Sequence, residues 1–445
     1  MSFRYNKQDR IFISAIVLVH IVFFLLAIHY TRIYMGDSYE YIYEAVNIKN
    51  LFFFYSGNPA MPIAPEYMTQ RQPIYPLFLM GVYLFSVNNW IVIVLQNLIS
   101  ICNIVYTRKL LQNIGYSRRY DWLLLLFIIA YPTQFINANT IAPDILLQSC
   151  TLLYFGSFIK LYQQKNLKQG AYMSLWLVVG LLVKPVLYPF VIIHFLLITI
   201  LFAKWKIKMQ RPLLIALLPI CAVLLYNYDN LMRTGKFHFS SNQSFNAIYY
   251  FNAYFTQTQG ADSAAKFLAN ERADINAFPE YKDRYDYANG RGIQLLKDNF
   301  APYMLFHFKN TARIFIEPGK AEMDLFTGKL TYNELYTKSN EGFAATFKSK
   351  GISGLQPYFA RNNSMPFVIF VLLFNIIRAI GICFFFIDKK INRHIRVFVL
   401  ILSGYFALIA GPIANTRYFL PVSLIIIGCA VIGLSGKFKR HKVLL

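Results

Sequence analysis

Apolar runs recur along nearly the whole chain, at residues 11–30, 74–87, 90–106, 121–131, 145–161, 171–183, 185–203, 212–226, 365–387, 395–413 and 418–435. Most approach the roughly 20 residues that a helix needs to cross a bilayer, so the pattern predicts an all-α polytopic membrane protein. The first run, Ile11 to Tyr30, lacks a small-residue cleavage site and is followed by further runs. It is therefore read as a retained helix rather than a removed signal peptide. The one long polar interval, 227–363, is mixed in sign and predicts a folded polar region. No internal repeat or low-complexity tract is visible, which weighs against an inverted-repeat transporter.

The basic residues between the runs orient them. Six clusters hold half of the 44 Lys and Arg: Arg4 to Arg10, Arg108 to Arg119, Lys160 to Lys168, Lys204 to Arg211, Lys389 to Arg396 and Lys437 to Lys442. The positive-inside rule places all six in the cytoplasm. An odd number of crossings must then separate residue 31 from Arg108, although two apolar runs lie between them. The run 74–87 is the shorter and carries Pro76 behind Pro73, so it is assigned to a re-entrant or interfacial helix. Ten spanning helices remain, with both termini cytoplasmic. The outer side receives 31–73, a loop at 132–144, a turn at Lys184-Pro185, the long loop and a turn at Asn415 to Arg417. Three regions follow: residues 1–226 as a seven-helix catalytic module including the first outer loop 31–73, 227–363 as the large outer loop, and 364–445 as a three-helix segment.

Composition changes this picture only by exclusion. Of 445 residues, 56% are hydrophobic and 15% charged, far from the balance of a soluble domain. The net charge of +23 would suggest nucleic acid in a soluble protein, but here it is explained by cytoplasmic loops and no nucleic-acid partner is expected. Cys102, Cys150, Cys221, Cys383 and Cys429 all sit singly in apolar runs, so neither a disulfide framework nor a zinc site is implied.

Candidate chemistry gathers on the outer side. After the first helix, Gly36 marks a turn, and Asp37, Glu40 and Glu44 recur on one helical face. Two readings stay open: a solvated helix capped by Asp37 or Ser38, or a catalytic base or metal ligand. Asp144 follows Pro143 at the start of its run and has the same two readings. Arg71, Lys184 and Arg417 lie at the same level, either snorkelling to the interface or binding an anion. Arg378 lies toward the cytoplasmic end of its run and is read as snorkelling. Cations at a leaflet boundary suit a lipid phosphate. An acid beside that phosphate suits a general base acting on an acceptor hydroxyl.

These residues fall in motifs that resemble a known group. Gly36-Asp37-Ser38 with Tyr41 and Ala45, then Arg71-Gln72-Pro73-Ile74-Tyr75-Pro76, resembles the start of membrane glycosyltransferases of the GT-C superfamily. The nearest likeness is to the family 39 group of protein O-mannosyltransferases and lipid A aminoarabinose transferases. It continues through Tyr131-Pro132, Pro143-Asp144, Gly180 to Pro185, Arg233 to Phe237 with Ser240-Ser241, and Arg417-Tyr418-Phe419-Leu420-Pro421. The resemblance implies an inverting transfer of a sugar from a polyprenyl-phosphate donor to a glycan, lipid or protein acceptor. The reaction would take place at the outer face of a bacterial inner membrane. It makes Asp37 the expected base and Asp144 a second acid of the catalytic site, with Glu40, Arg71, Tyr75, Lys184, Arg417 and Tyr418 as substrate-binding residues. Many members carry a paired acidic motif in the first loop, whereas here Ser38 follows Asp37. Members vary in metal use; this sequence requires no metal and leaves a divalent cation open. A transporter or flippase of lipid-linked glycans, and a polymerase or ligase using lipid-diphosphate donors, are the alternative classes.

Overall fold

The computed structural model describes residues 7–331, 351–354 and 364–441. Arg4, Lys442 and much of the end of the long loop lie outside the described residues. The described chain is helical, with α1 Lys7–Tyr30, α2 Ser38–Leu51, α3 Ile74–Tyr83, α4 Asn89–Gln112, α5 Asp121–Ile129, α6 Pro132–Ala138, α7 Asp144–Gln164, α8 Leu167–Val183 and α9 Phe190–Lys204. It continues with α10 Gln210–Thr234, α11 Asn242–Gln259, α12 Ala261–Asn276, α13 Tyr281–Asp298, α14 Phe300–Arg313, α15 Lys320–Phe326, α16 Met365–Ile387, α17 Arg393–Ala410 and α18 Thr416–His441.

Among the described residues, seven helices are long and apolar enough to cross a membrane: α1, α4, α7, α10, α16, α17 and α18. An eighth crossing would join α5 to α6, which meet at a 66° bend. The protein is thus a multi-pass, all-α membrane protein. The remaining two of the ten expected crossings fall on α8 and α9, which have 17 and 15 residues. At 1.5 Å per residue they reach only about 25 and 22 Å, short of a hydrocarbon core of about 30 Å. Pro185 and Pro189 interrupt the chain between them and account for the shortening. With ten residues, α3 reaches only about 15 Å.

The expected outer loop at 132–144 is not a loop at its start. Pro132 opens α6, every residue of which is buried. A proline disfavours helical geometry in the residue before it, and Tyr131 has accordingly left the helix, with φ −124° and ψ 75°. The polar residues that suggested a loop are spent inside the bundle. Gln134 donates to Ser100 Oγ at 2.8 Å and to Gln148 Oε1 at 2.9 Å, and Gln148 donates to the Leu420 carbonyl at 2.9 Å. This amide network ties α4, α6, α7 and α18 together where an unpaired amide would be costly.

Arg378 does not snorkel. It is buried, donates to Asn375 and lies 5.0 Å from the centroid of the Tyr131 ring. Small residues bring α16 hard against α18: a Cβ on Gly381 would meet the Ala430 carbonyl at 2.7 Å. At one end of the bundle, buried Arg108 donates to Asp9 at 2.7 Å and through Nε to Asp121 at 2.9 Å, clamping α1, α4 and α5. At the other end, α11, α13 and α14 build a separate apolar core from Ile248, Phe251, Tyr254, Leu295, Tyr303 and Phe306. α15 returns from there to pack on α6.

Candidate active site

Five segments deliver charge to one point. α2 begins at Ser38 because the Ser38 hydroxyl, which accepts from the Met35 N–H at 2.7 Å, donates to the Ile141 carbonyl at 2.6 Å. The Ile141 N–H in turn reaches the Ile33 carbonyl at 2.8 Å. These bonds pin the start of the first loop beside the segment that leads into Asp144. Lys184 lies in extended backbone where α8 ends, and Arg417 lies in the first turn of α18. Arg71 follows a short 3-10 turn at Pro65–Met68.

The side chains form an alternating series. Glu40 accepts from Arg71 Nε at 2.6 Å, and Arg71 Nη1 lies 3.8 Å from Asp37 Oδ2. Asp37 Oδ2 accepts from Arg417 Nη2 at 3.1 Å. Arg417 Nε donates to Asp144 Oδ2 at 2.8 Å, and the second Asp144 oxygen takes Lys184 Nζ at 2.7 Å. Three acids and three cations therefore alternate and balance. Aromatic rings flank the ends: Arg71 lies 4.9 Å from the Tyr41 centroid, and Lys184 Nζ 5.0 Å from that of Tyr418. The Asp144 side chain is 1% exposed and that of Asp37 20%, so the series runs from bundle interior toward an open edge.

Neither capping reading holds. Asp37 occupies the N-cap position of α2 but makes no side-chain cap bond, and Pro143, not Asp144, precedes α7. Nor do the cations snorkel, because each of the three is paired and largely buried. Burial and the cations, rather than the neighbouring acids of its own helical face, set the proton affinity of Asp37. Burial works to raise it, but Arg417, then Arg71 and Lys184, hold its carboxyl well below the usual carboxylate range. Glu40 is occupied by Arg71, while Glu44 sits buried a turn further on, its carboxyl pushed up to about 8 by burial against the pull of Arg233 and Arg71.

Of the residues named from the sequence, Asp37, Glu40, Arg71, Asp144, Lys184, Arg417 and Tyr418 come together. Tyr75 does not join them: it is fully buried and donates its hydroxyl to Gln96 Oε1 at 2.6 Å. It underlies the site instead, meeting Tyr41 edge to face at 5.1 Å. Sequence reasoning missed the part played by Tyr41 and missed Glu322, which accepts from the Arg417 N–H at 2.7 Å. Glu322 stands in the long loop, where nothing local distinguishes it from its charged neighbours. Among the described residues, no group of three His, Cys, Asp or Glu is placed to hold a metal ion.

No protein-family model matches the chain, and no curated protein matches it. Solved structures similar to it include two. One is the archaeal oligosaccharyltransferase AglB from Archaeoglobus fulgidus, in complex with an inhibitory peptide and a dolichol-phosphate. It aligns at 12% identity and a TM-score of 0.47, over 97% of this chain and 51% of that one. The other is ArnT from Cupriavidus metallidurans bound to undecaprenyl phosphate, at 12% identity and a TM-score of 0.39, over 95% of this chain and 77% of that one. The chain spans about half the length of the first of these proteins.

Proposed function

We propose that the protein is an inverting glycosyltransferase of the GT-C type, moving a sugar from a polyprenyl-phosphate carrier to an acceptor hydroxyl at the outer face of the inner membrane. The observation that carries this reading is the alternating charge series, in which two cations converge on buried Asp144 while Asp37 stands at the open edge. A lipid phosphate entering from the membrane would exchange places with Asp37 on Arg417 and draw on Lys184, forming charge-assisted bonds. Asp144 holds both cations in convergent positions beforehand, so little reorganisation accompanies phosphate binding.

The same exchange would activate the base. Asp37 is a poor proton acceptor while Arg417 and Arg71 hold it. Once a phosphate draws on Arg417, added negative charge and burial both raise its proton affinity. Asp37 then takes the proton of the acceptor hydroxyl as that oxygen attacks the anomeric carbon. The bond from that carbon to the phosphate oxygen breaks on the opposite side. Its electron pair leaves with the polyprenyl phosphate, where Arg417 and Lys184 neutralise the charge, and configuration inverts. No protein nucleophile takes part. Glu40 keeps Arg71 in place, and Tyr418 backs Lys184. The test is transfer of labelled sugar from extracted polyprenyl-phosphate donors by the purified protein at limiting donor, with Arg417→Ala as the control of weakened transfer.

A further inference from the structure

Arg417 is held from behind by the long loop. Glu322, on α15, accepts from the Thr416 hydroxyl at 2.6 Å and from the Arg417 N–H at 2.7 Å, both through the same carboxylate oxygen. It is 4% exposed. α15 reaches this position because Gly319, at its start, takes a left-handed φ of +72°. A Cβ there would come within 3.1 Å of Thr416 Oγ1 and 3.2 Å of Thr133 Oγ1, so the loop meets α18 and α6 closely, in a backbone conformation that favours glycine. Thr133 also donates to Thr416 at 3.0 Å, closing the cluster. α15 is fastened at its far side as well, where the Ser364 hydroxyl donates to Asp324 at 3.3 Å beside the start of α16.

The helix itself does not depend on Glu322. Asn415 Oδ1 also accepts from the Arg417 N–H, at 2.8 Å, and serves as a local cap. A carboxylate brought from a loop 95 residues away adds something that Asn415 does not: it fixes the direction of the first turn of α18, from which the Arg417 guanidinium spans Asp37 and Asp144.

We infer that Glu322 is a positioning residue that sets Arg417 for the donor phosphate, so that the long loop controls the phosphate site. This rests on the proposed function for its ligand. Glu322→Ala removes the anchor, Glu322→Asp keeps the charge but draws the oxygen back by one methylene, and Glu322→Gln keeps an acceptor oxygen in place. The experiment measures undecaprenyl phosphate binding and donor KM and kcat for the full chain in nanodiscs, together with hydrogen exchange over residues 416–420.

The inference predicts that Ala and Asp each weaken undecaprenyl phosphate binding by about tenfold or more, as loss of alignment in one charge-assisted bond would. Donor KM rises by more than kcat falls, exchange over 416–420 increases, and Gln restores most of the binding. If Ala fails to fold, the Asp variant decides. Wild-type binding in the Asp variant, alongside clear loss in Arg417→Ala, would overturn the inference and leave the proposed function standing. A wild-type protein that ignores undecaprenyl phosphate would overturn the proposed function. Exchange then decides for Glu322 alone, since an unchanged first turn in the Asp variant refutes positioning and a loosened one supports it.

Discussion

Replacing Asp37 by Asn separates a catalytic base from a structural carboxylate. The substitution keeps the shape of the side chain and one acceptor for Arg417, and it disturbs no cap because Asp37 makes none. Its partners are Arg417 at 3.1 Å and Arg71 at 3.8 Å, and the side chain is one-fifth exposed. Exposed pairs contribute about 0–1 kcal/mol and breaking a buried pair costs about 3–5 kcal/mol. With one acceptor retained, a loss of about 1–2 kcal/mol of stability is expected. Because the folded carboxyl sits below its ordinary value of 3.8, that loss is present above this value and fades as pH falls toward the folded one. The catalytic effect is larger. Removing a general base should lower kcat by about 10²–10⁴, or roughly 3–5 kcal/mol of barrier. The donor, by contrast, should bind as well as before or up to about fivefold tighter, because Arg417 loses a competing carboxylate worth about 1 kcal/mol. Steady-state transfer kinetics with separate donor binding reads both quantities. An Asn variant that retains near-full kcat, or one that loses donor affinity in step with kcat, would refute the assignment of Asp37 as base.

Three further outcomes follow from particular contacts. Lys184→Ala and Arg417→Ala should each raise donor KM, by the roughly 1.5–3 kcal/mol of a charged hydrogen bond, which donor titrations measure directly. Arg108→Ala removes the buried cation shared by Asp9 and Asp121 at the opposite end of the bundle, leaving Arg118 beside Asp9 and the Tyr116 hydroxyl on Asp121. It should cost about 3–5 kcal/mol of stability, seen in thermal unfolding, with donor KM unmoved. Glu44 has a folded carboxyl raised to about 8 against an ordinary 4.5, so its contribution is full below the ordinary value and lost as pH rises to the folded one. Glu44→Gln should therefore melt close to wild type at pH 4.5 and higher than wild type above pH 8.

Much of the architecture was legible because hydrophobic length is a strong local signal. The expected runs at 11–30, 90–106 and 365–387 lie within α1, α4 and α16. The misreadings occurred where polarity serves the interior. Gln134 and Asn137 look like loop residues in a linear reading, yet α6 buries them. Arg378 looks like an interfacial cation, yet Tyr131 and Asn375 hold it inside. Seven of the eight residues nominated for the site are gathered there, since helix-end charges at one level of a bundle have few places to go. Their pairing was not legible. Local spacing put Asp37 beside Glu40 and Glu44, whereas the partner that decides its protonation, Arg417, lies at the far end of the chain. Glu322 was invisible for the same reason, because its role arises only when α15 is folded back onto α18.

The proposed donor, a polyprenyl-phosphate-linked sugar, is open to direct test by transfer. Purified protein in nanodiscs is given a radiolabelled polyprenyl-phosphate sugar and an envelope extract as acceptor, and the label is followed into product with its anomeric configuration. Transfer with inversion is expected, slowed by about 10²–10⁴ in Asp37→Asn and strongly reduced at limiting donor in Arg417→Ala. Failure of the folded wild-type protein either to transfer the sugar or to bind the lipid phosphate would contradict the proposed function, as would transfer with retained configuration.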